Sequence, residues 1–258
     1  MEKFDMIIDV KPSRLESTVI MDVPFDKGKE LLEKKGYRII SLKENAELHL
    51  SQGYYKPAIQ GASANLVREG LIYLTPNKLF LTKNSPIMEH TKKAMQSARK
   101  HIKYDVPTYY LTDEETERAL SNSVKHTSKT IPTTRFKDNE LTSFAFEDLA
   151  EDYGLFLKDS GIDGMFFSSA GFSMIPKPLI HLIYFTHWSK ADSIPHIVKT
   201  YPKKVEAVEN ADLLRDFVEG TKYVIDPSKT KRILTLYPYE IDEVKSCTLR
   251  GIKYMKGK

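Results

Sequence analysis

The chain predicts an α+β fold, a mixed sheet with flanking helices, and three observations carry that prediction. Short β-branched runs alternate with amphipathic helical stretches along the whole length. The first forty-odd residues run strand, strand, helix, strand, the order of a mixed α/β chain. Residues 61–86, GASANLVREGLIYLTPNKLFLTKNSP, predict a short helix, two strands joined by a tight turn, and a hard stop at Asn84, Ser85 and Pro86.

Length and composition set the frame. The 258 residues are long for one domain and short for three, and 41% apolar with 29% charged residues suits a chain with a real core. Thirty-nine basic residues against 35 acidic ones leave a net charge of +4. That excess permits nucleic acid or an anionic substrate as a partner without demanding either. The dense, mixed charge and the single cysteine suit a protein from a hot environment. Cys247, expected as a small half-buried residue in a late strand, excludes an intramolecular disulfide and any multi-cysteine metal site. The first ten residues are too charged for a signal peptide, and no apolar run approaches the length of a membrane span. A cytoplasmic protein without a membrane partner is the expectation.

In chain order, residues 4–10 and 18–23 predict strands around the turn residues Lys11, Pro12 and Ser13. Residues 26–35 predict a helix burying Leu31 and Leu32 and stopped by Gly36. A strand is expected at 37–42 and a helix at 43–52 with Ser41 as N-cap. On it His49, between Leu48 and Leu50, is expected as a packed or solvent-edge histidine. Residues 62–69 then form two helical turns broken by Gly70, and 71–74 and 79–82 form a hairpin across Thr75, Pro76, Asn77 and Lys78. This helix–helix–ribbon order, with LVREGLIYL running into LFLTK, resembles the recognition helix and wing of winged helix-turn-helix regulators in bacteria and archaea. The resemblance implies a nucleic-acid contact through the ribbon. It covers about forty residues and carries no invariant motif.

Residues 87–103, IMEHTKKAMQSARKHIK, predict the most basic helix, with Met88, Met95 and Ile102 as its apolar stripe. Lys92, Lys93, Arg99, Lys100 and Lys103 on its remaining surface can follow a phosphate backbone, joined by Arg68, Lys78 and Lys83 from the ribbon region. A solvated helix face explains the same residues. A strand is expected at 104–110. The helix at 111–121 carries a capping box, Thr112 with Glu115. It is acidic and can pair with the basic helix, which would remove most of the electrostatic case for DNA. Residues 121–140 read as a loop or linker between an N-terminal part, 1–120, and a C-terminal part, 141–258. Lys125, His126, Lys129 and Arg135 within it are candidate phosphate ligands.

A long helix over 141–159 buries Phe146, Leu149, Tyr153, Phe156 and Leu157, and an apolar strand follows at 165–168. The sequence Gly161, Ile162, Asp163, Gly164 is either a structural turn or the edge of a ligand site. The small-residue loop from Ser168 lacks both the phosphate-loop and the dinucleotide pattern. Residues 179–188 predict the most apolar strand, with His181 and His187 on one face and His196 in a following helix. The histidine spacing matches no metal motif, so no metal is assigned and no cofactor is identified. His187 is the candidate general acid or base, with Asp163 or Asp192 as partner and Trp188 beside it. A helix at 205–219, a hairpin of 223–225 with 232–236 across Asp226 and Pro227, and a strand at 244–254 complete the chain.

Three functions are consistent with these residues. The first is nucleic-acid binding, to DNA or RNA, through basic helix and ribbon. The second is an enzyme for a phosphate-bearing or nucleotide substrate at a cleft near Asp163, the Ser168 to Gly171 loop and His187. The third is a structural homo-oligomer.

Overall fold

A computed structural model describes residues 6–10, 15–52, 65–75, 78–100, 109–127, 129–167, 179–185, 193–199, 207–208, 223–239 and 247–254. The strands are β1 (Met6–Val10), β2 (Leu15–Val23), β3 (Arg38–Ile39), β4 (Asn65–Thr75), β5 (Lys78–Thr82), β6 (Tyr109–Tyr110) and β7 (Ser123–Lys125). They continue with β8 (Ile131–Pro132), β9 (Gly164–Phe167), β10 (Leu179–Phe185), β11 (Ser193–Lys199), β12 (Ala207–Val208), β13 (Tyr223–Tyr239) and β14 (Cys247–Tyr254). The helices are α1 (Phe25–Lys34), α2 (Leu42–Gln52), α3 (Pro86–Glu89), α4 (Thr91–Lys100), α5 (Asp113–Leu120), α6 (Glu140–Phe146) and α7 (Ala150–Asp159).

The main path of the sheet runs β1-β2-β14-β4-β10-β13-β11-β12, with β5 on β4 and β7 on β5. Most pairs are antiparallel; β13 with β9 and β14 with β4 are parallel. The mixed sheet and flanking helices are those of an α+β protein. Strand β4 decides the layering, because its successive side chains point to opposite faces. Val67, Leu71 and Tyr73 join Leu79, Leu81 and Val124 in a core covered by α2, α6 and α7. Leu66 and Ile72 join a second core on the other face with Phe25 and Leu32 of α1, Ile87, Ala94, Met95 and Ala119. Helices therefore cover both faces of the sheet.

Several expectations are corrected. The helix expected over 62–69 is strand from Asn65 onward, and the strand continues through Gly70 to Thr75. The segment pairs with β10 on one side and β5 on the other, and a stretch that must satisfy two ladders and bury both faces is held extended whatever its local helix preference. Among the described residues no helix therefore runs directly into the hairpin, although the hairpin itself is present. The helix over 87–103 divides at His90 into α3 and α4. Ser85 stands at the N-cap position of α3, but its hydroxyl makes no cap hydrogen bond and is buried without a partner among the described residues. The helix over 141–159 divides at Glu147, a non-glycine residue at φ 55. His196 lies in strand β11, not in a helix, and the expected 205–219 helix is strand at Ala207–Val208, its remainder lying outside the described residues. The 226–229 turn is absorbed into one strand, β13. Its register against β11 jumps from Lys231 to Asp226 while β11 moves only from Ile194 to His196, so the segment with Pro227, which has no N–H for a ladder, bulges out.

The polar stretch 121–140 carries β7, β8 and a 3-10 turn at Thr133–Arg135, and it buries Val124, Ile131 and Phe136. Strand β14 includes Cys247 as expected, and Thr112 with Glu115 forms the expected capping box. Among the described residues no helix is long and apolar enough to cross a membrane.

Candidate nucleic-acid interface

Strand alternation sorts β5 into two faces. Leu79 and Leu81 enter the core beneath α2, α6 and α7, which leaves Lys78, Phe80 and Thr82 on the opposite face. Strand β7 pairs Thr82 with Ser123, Leu81 with Val124 and Phe80 with Lys125, so Lys125 shares the face of Phe80 and Lys78. The ladder extends one step further, His126 N–H donating to the Leu79 carbonyl at 2.8 Å, which brings Thr127 opposite Lys78. The Thr127 hydroxyl accepts the Lys129 N–H at 3.3 Å and turns the chain there. Lys78 and Lys125 thus sit toward the turn end of the β4–β5 hairpin, with Lys129 two residues beyond Thr127.

Helix α5 stands over the other end of this face. The Thr82 hydroxyl donates to the carbonyls of Ala119 and Asn122, and Thr82 is fully buried. Exposure then rises along the strands: Phe80 and Ser123 are half-buried, Lys78 and Lys125 exposed. Lys78, Lys125 and Lys129 make no ion pair among the described residues. Two sets of residues far apart in the sequence, the ribbon lysine and the loop lysines, are brought together by this pairing.

The other predicted basic residues are distributed differently. Lys83 reaches across to the Glu147 carboxylate and lies 4.7 Å from the centre of the Phe144 ring. Lys93 bonds Glu115 of α5 at 3.2 Å and sits over Tyr109. Through Glu115 the acidic helix does neutralise part of the basic one, whereas Arg118 of α5 pairs in the opposite sense with Glu89 of α3 at 2.9 Å. Lys92 is exposed and helps hold the Glu30 carboxyl of α1 below its usual range, after the larger effect of Lys34. Arg68 is half-buried at the far end of β4, seven residues or about 23 Å from the hairpin tip. Arg99 and Lys100 end α4, and Lys103 lies outside the described residues.

The acceptors of these lysines are strongly acidic. Burial pushes the Glu115 carboxyl up, but the Thr112 N–H, the Tyr109 hydroxyl at 2.6 Å and Lys93 outweigh it and bring it down to about 2. Lys43 and Lys83 bring Glu147 down to about 2 as well. Both carboxylates are therefore ionised at neutral pH and keep their lysines engaged.

Of the loop candidates, His126 turns to the other face, where it is buried with Nε2 3.0 Å from the Phe167 carbonyl. Burial lowers its pKa, which favours a neutral imidazole and not a phosphate ligand. Arg135 is exposed on the 3-10 turn, 3.8 Å from Asp138. Asp163 is exposed, and its backbone carbonyl accepts the Thr133 N–H at 3.1 Å. His187, Trp188, Asp192 and the loop from Ser168 to Gly171 lie outside the described residues. Among the described residues, no three His, Cys, Asp or Glu side chains converge as metal ligands.

A buried polar belt beside α2 has no local signature in the sequence. Glu69 is 2% exposed on the core face of β4, and its carboxylate accepts the Leu42 N–H at 3.1 Å, the first amide of α2. Ser41 and Glu44 complete that helix start as a capping box. Burial raises the Glu69 carboxyl to about 7. His49 is buried with Nδ1 2.8 Å from the Tyr153 hydroxyl, and Arg250 is buried with its guanidinium donating to Ser17 at 2.6 Å. Reading 65–75 as a strand would have put Glu69 in phase with Val67 and Leu71 and revealed it as a core position. Comparison of the chain with protein-family models, curated proteins and solved structures finds no match.

Proposed function

We propose that the protein binds nucleic acid through phosphate contacts from the β5–β7 edge, with Lys78, Lys125 and Lys129 as the contacting residues. The observation that supports this reading is that the β5–β7 register puts Lys78 and Lys125 on one sheet face, with Lys129 two residues beyond Thr127, all three exposed and free of ion pairs among the described residues. Lys83 and Lys93, held by Glu147 and Glu115, serve the fold instead. The interface thus moves from the basic helix to the ribbon, with Lys92 a peripheral contributor. Each phosphate neutralised releases counterions, so binding weakens steeply with salt.

Fluorescence anisotropy with a labelled oligonucleotide over a salt series tests the reading. Changing Lys78, Lys125 and Lys129 together to Ala is expected to weaken binding and to flatten the log–log salt slope by roughly 0.7–0.9 for each phosphate no longer neutralised. Lys83→Ala and Lys93→Ala are expected to leave affinity within about twofold while lowering stability. A triple variant that binds like the parent protein sinks the proposal.

A further inference from the structure

Resting on that reading, we infer that the β5–β7 face takes single-stranded nucleic acid in preference to duplex, with a base stacked on Phe80. Phe80 lies between the two lysines on the same face: Lys125 is directly opposite it in register and Lys78 is two residues away on its own strand. Ile72 of β4 is its partner on the other side, and Leu74 packs half-buried on the same core. The face is therefore an apolar and aromatic floor with a cationic rim. Phe80 itself is half-buried, packed against the second core and still partly accessible to solvent.

A duplex presents phosphates but keeps its bases stacked on each other, so it has no use for an aromatic floor. A single strand can splay a base onto the ring while neighbouring phosphates reach the lysines, and base–aromatic stacking tolerates any base. The short separation favours this occupant too. Opposed residues on paired strands are about 5 Å apart, well below the width of a duplex major groove, so ring and lysine together suit one exposed nucleotide. An acidic polypeptide matches the lysines but offers nothing to the ring.

The test uses the full chain with an oligothymidylate of about 12 nucleotides, a duplex of equal length, and polyglutamate as competitor. Tighter binding of the single strand than of the duplex by tenfold or more is expected, with polyglutamate a poor competitor. Phe80→Leu keeps apolar volume without a π face and is expected to weaken the single strand by roughly tenfold while leaving duplex binding unchanged. Phe80→Tyr retains the ring and is expected to restore affinity; it also guards against a Leu variant that fails to fold. Equal affinity for duplex and single strand, an inert Phe80→Leu, or full competition by polyglutamate overturns the inference. In each of those cases the lysine triple variant still reports on the phosphate reading, which fails only if removing the three charges changes nothing.

Discussion

Glu69 shows what one side chain costs when it is removed from water. Its carboxyl is fully buried, its hydrogen-bond donor is a backbone amide, and Glu44 adds a like charge nearby. Burial therefore dominates, and the group ionises near 7, against 4.5 for the ordinary side chain. The folded protein holds this proton over a range where the unfolded chain has released it. Stability from this group is fully present below pH 4.5 and is lost as pH rises through 7. The difference amounts to about 3 kcal/mol at 1.36 kcal/mol per unit. Glu69→Gln keeps an acceptor for the Leu42 amide and cannot ionise. The variant's melting temperature relative to wild type is expected to rise between pH 5 and pH 8; parallel curves would show that Glu69 is already hydrated.

At the scale of elements, α5 and α7 show two ways of fixing a helix. Helix α5 is fixed by charge and capping: Thr112 accepts the Glu115 amide, and the Glu115 carboxylate gathers the Thr112 amide, Tyr109 and Lys93. That network was legible in the sequence as Thr112 with Glu115, but Tyr109 and Lys93 enter it only through folding. Helix α7 is fixed by close approach. Its Gly154 faces the 3-10 turn, where an added Cβ would collide with the Thr133 carbonyl and press on Phe136 at 3.1 Å. Backbone cannot retreat as a flexible side chain can. Gly154→Ala is therefore expected to destabilise by about 2 kcal/mol, despite the better helix propensity of alanine, as chemical denaturation would measure. A neutral outcome would mean that α7 slides on the turn.

Across the whole molecule, β4 is the strand on which the rest is assembled. It pairs with β10, β5 and β14 and contributes side chains to both cores. Its amides, Leu71 to Tyr73 above all, are expected to exchange with solvent more slowly than those of β7, an edge strand among the described residues. Equal exchange in β4 and β7 would contradict this order of stability. The position of β4 also explains how the candidate interface arises, because the hairpin it starts carries Lys78 to the strand that bears Lys125.

The fold class, the β4–β5 hairpin, the α5 capping box and the helix starts near Phe25 and Leu42 were determined by the sequence itself, since each rests on contacts within a few residues. The state of residues 65–70 was not. Leu66, Val67 and Glu69 before Gly70 satisfy a helix locally, and partners distant in sequence hold them extended: β10 and β14 more than a hundred residues later, and the Ile40 carbonyl that accepts the Arg68 N–H. The same separation hid the candidate interface. Lys78 and Lys125 are 47 residues apart, and no local pattern reports that Phe80 and Lys125 will be register partners. Which lysines Glu115 and Glu147 bind, and which stay exposed, was decided by tertiary structure, because ion pairing depends on distance in space and not along the chain.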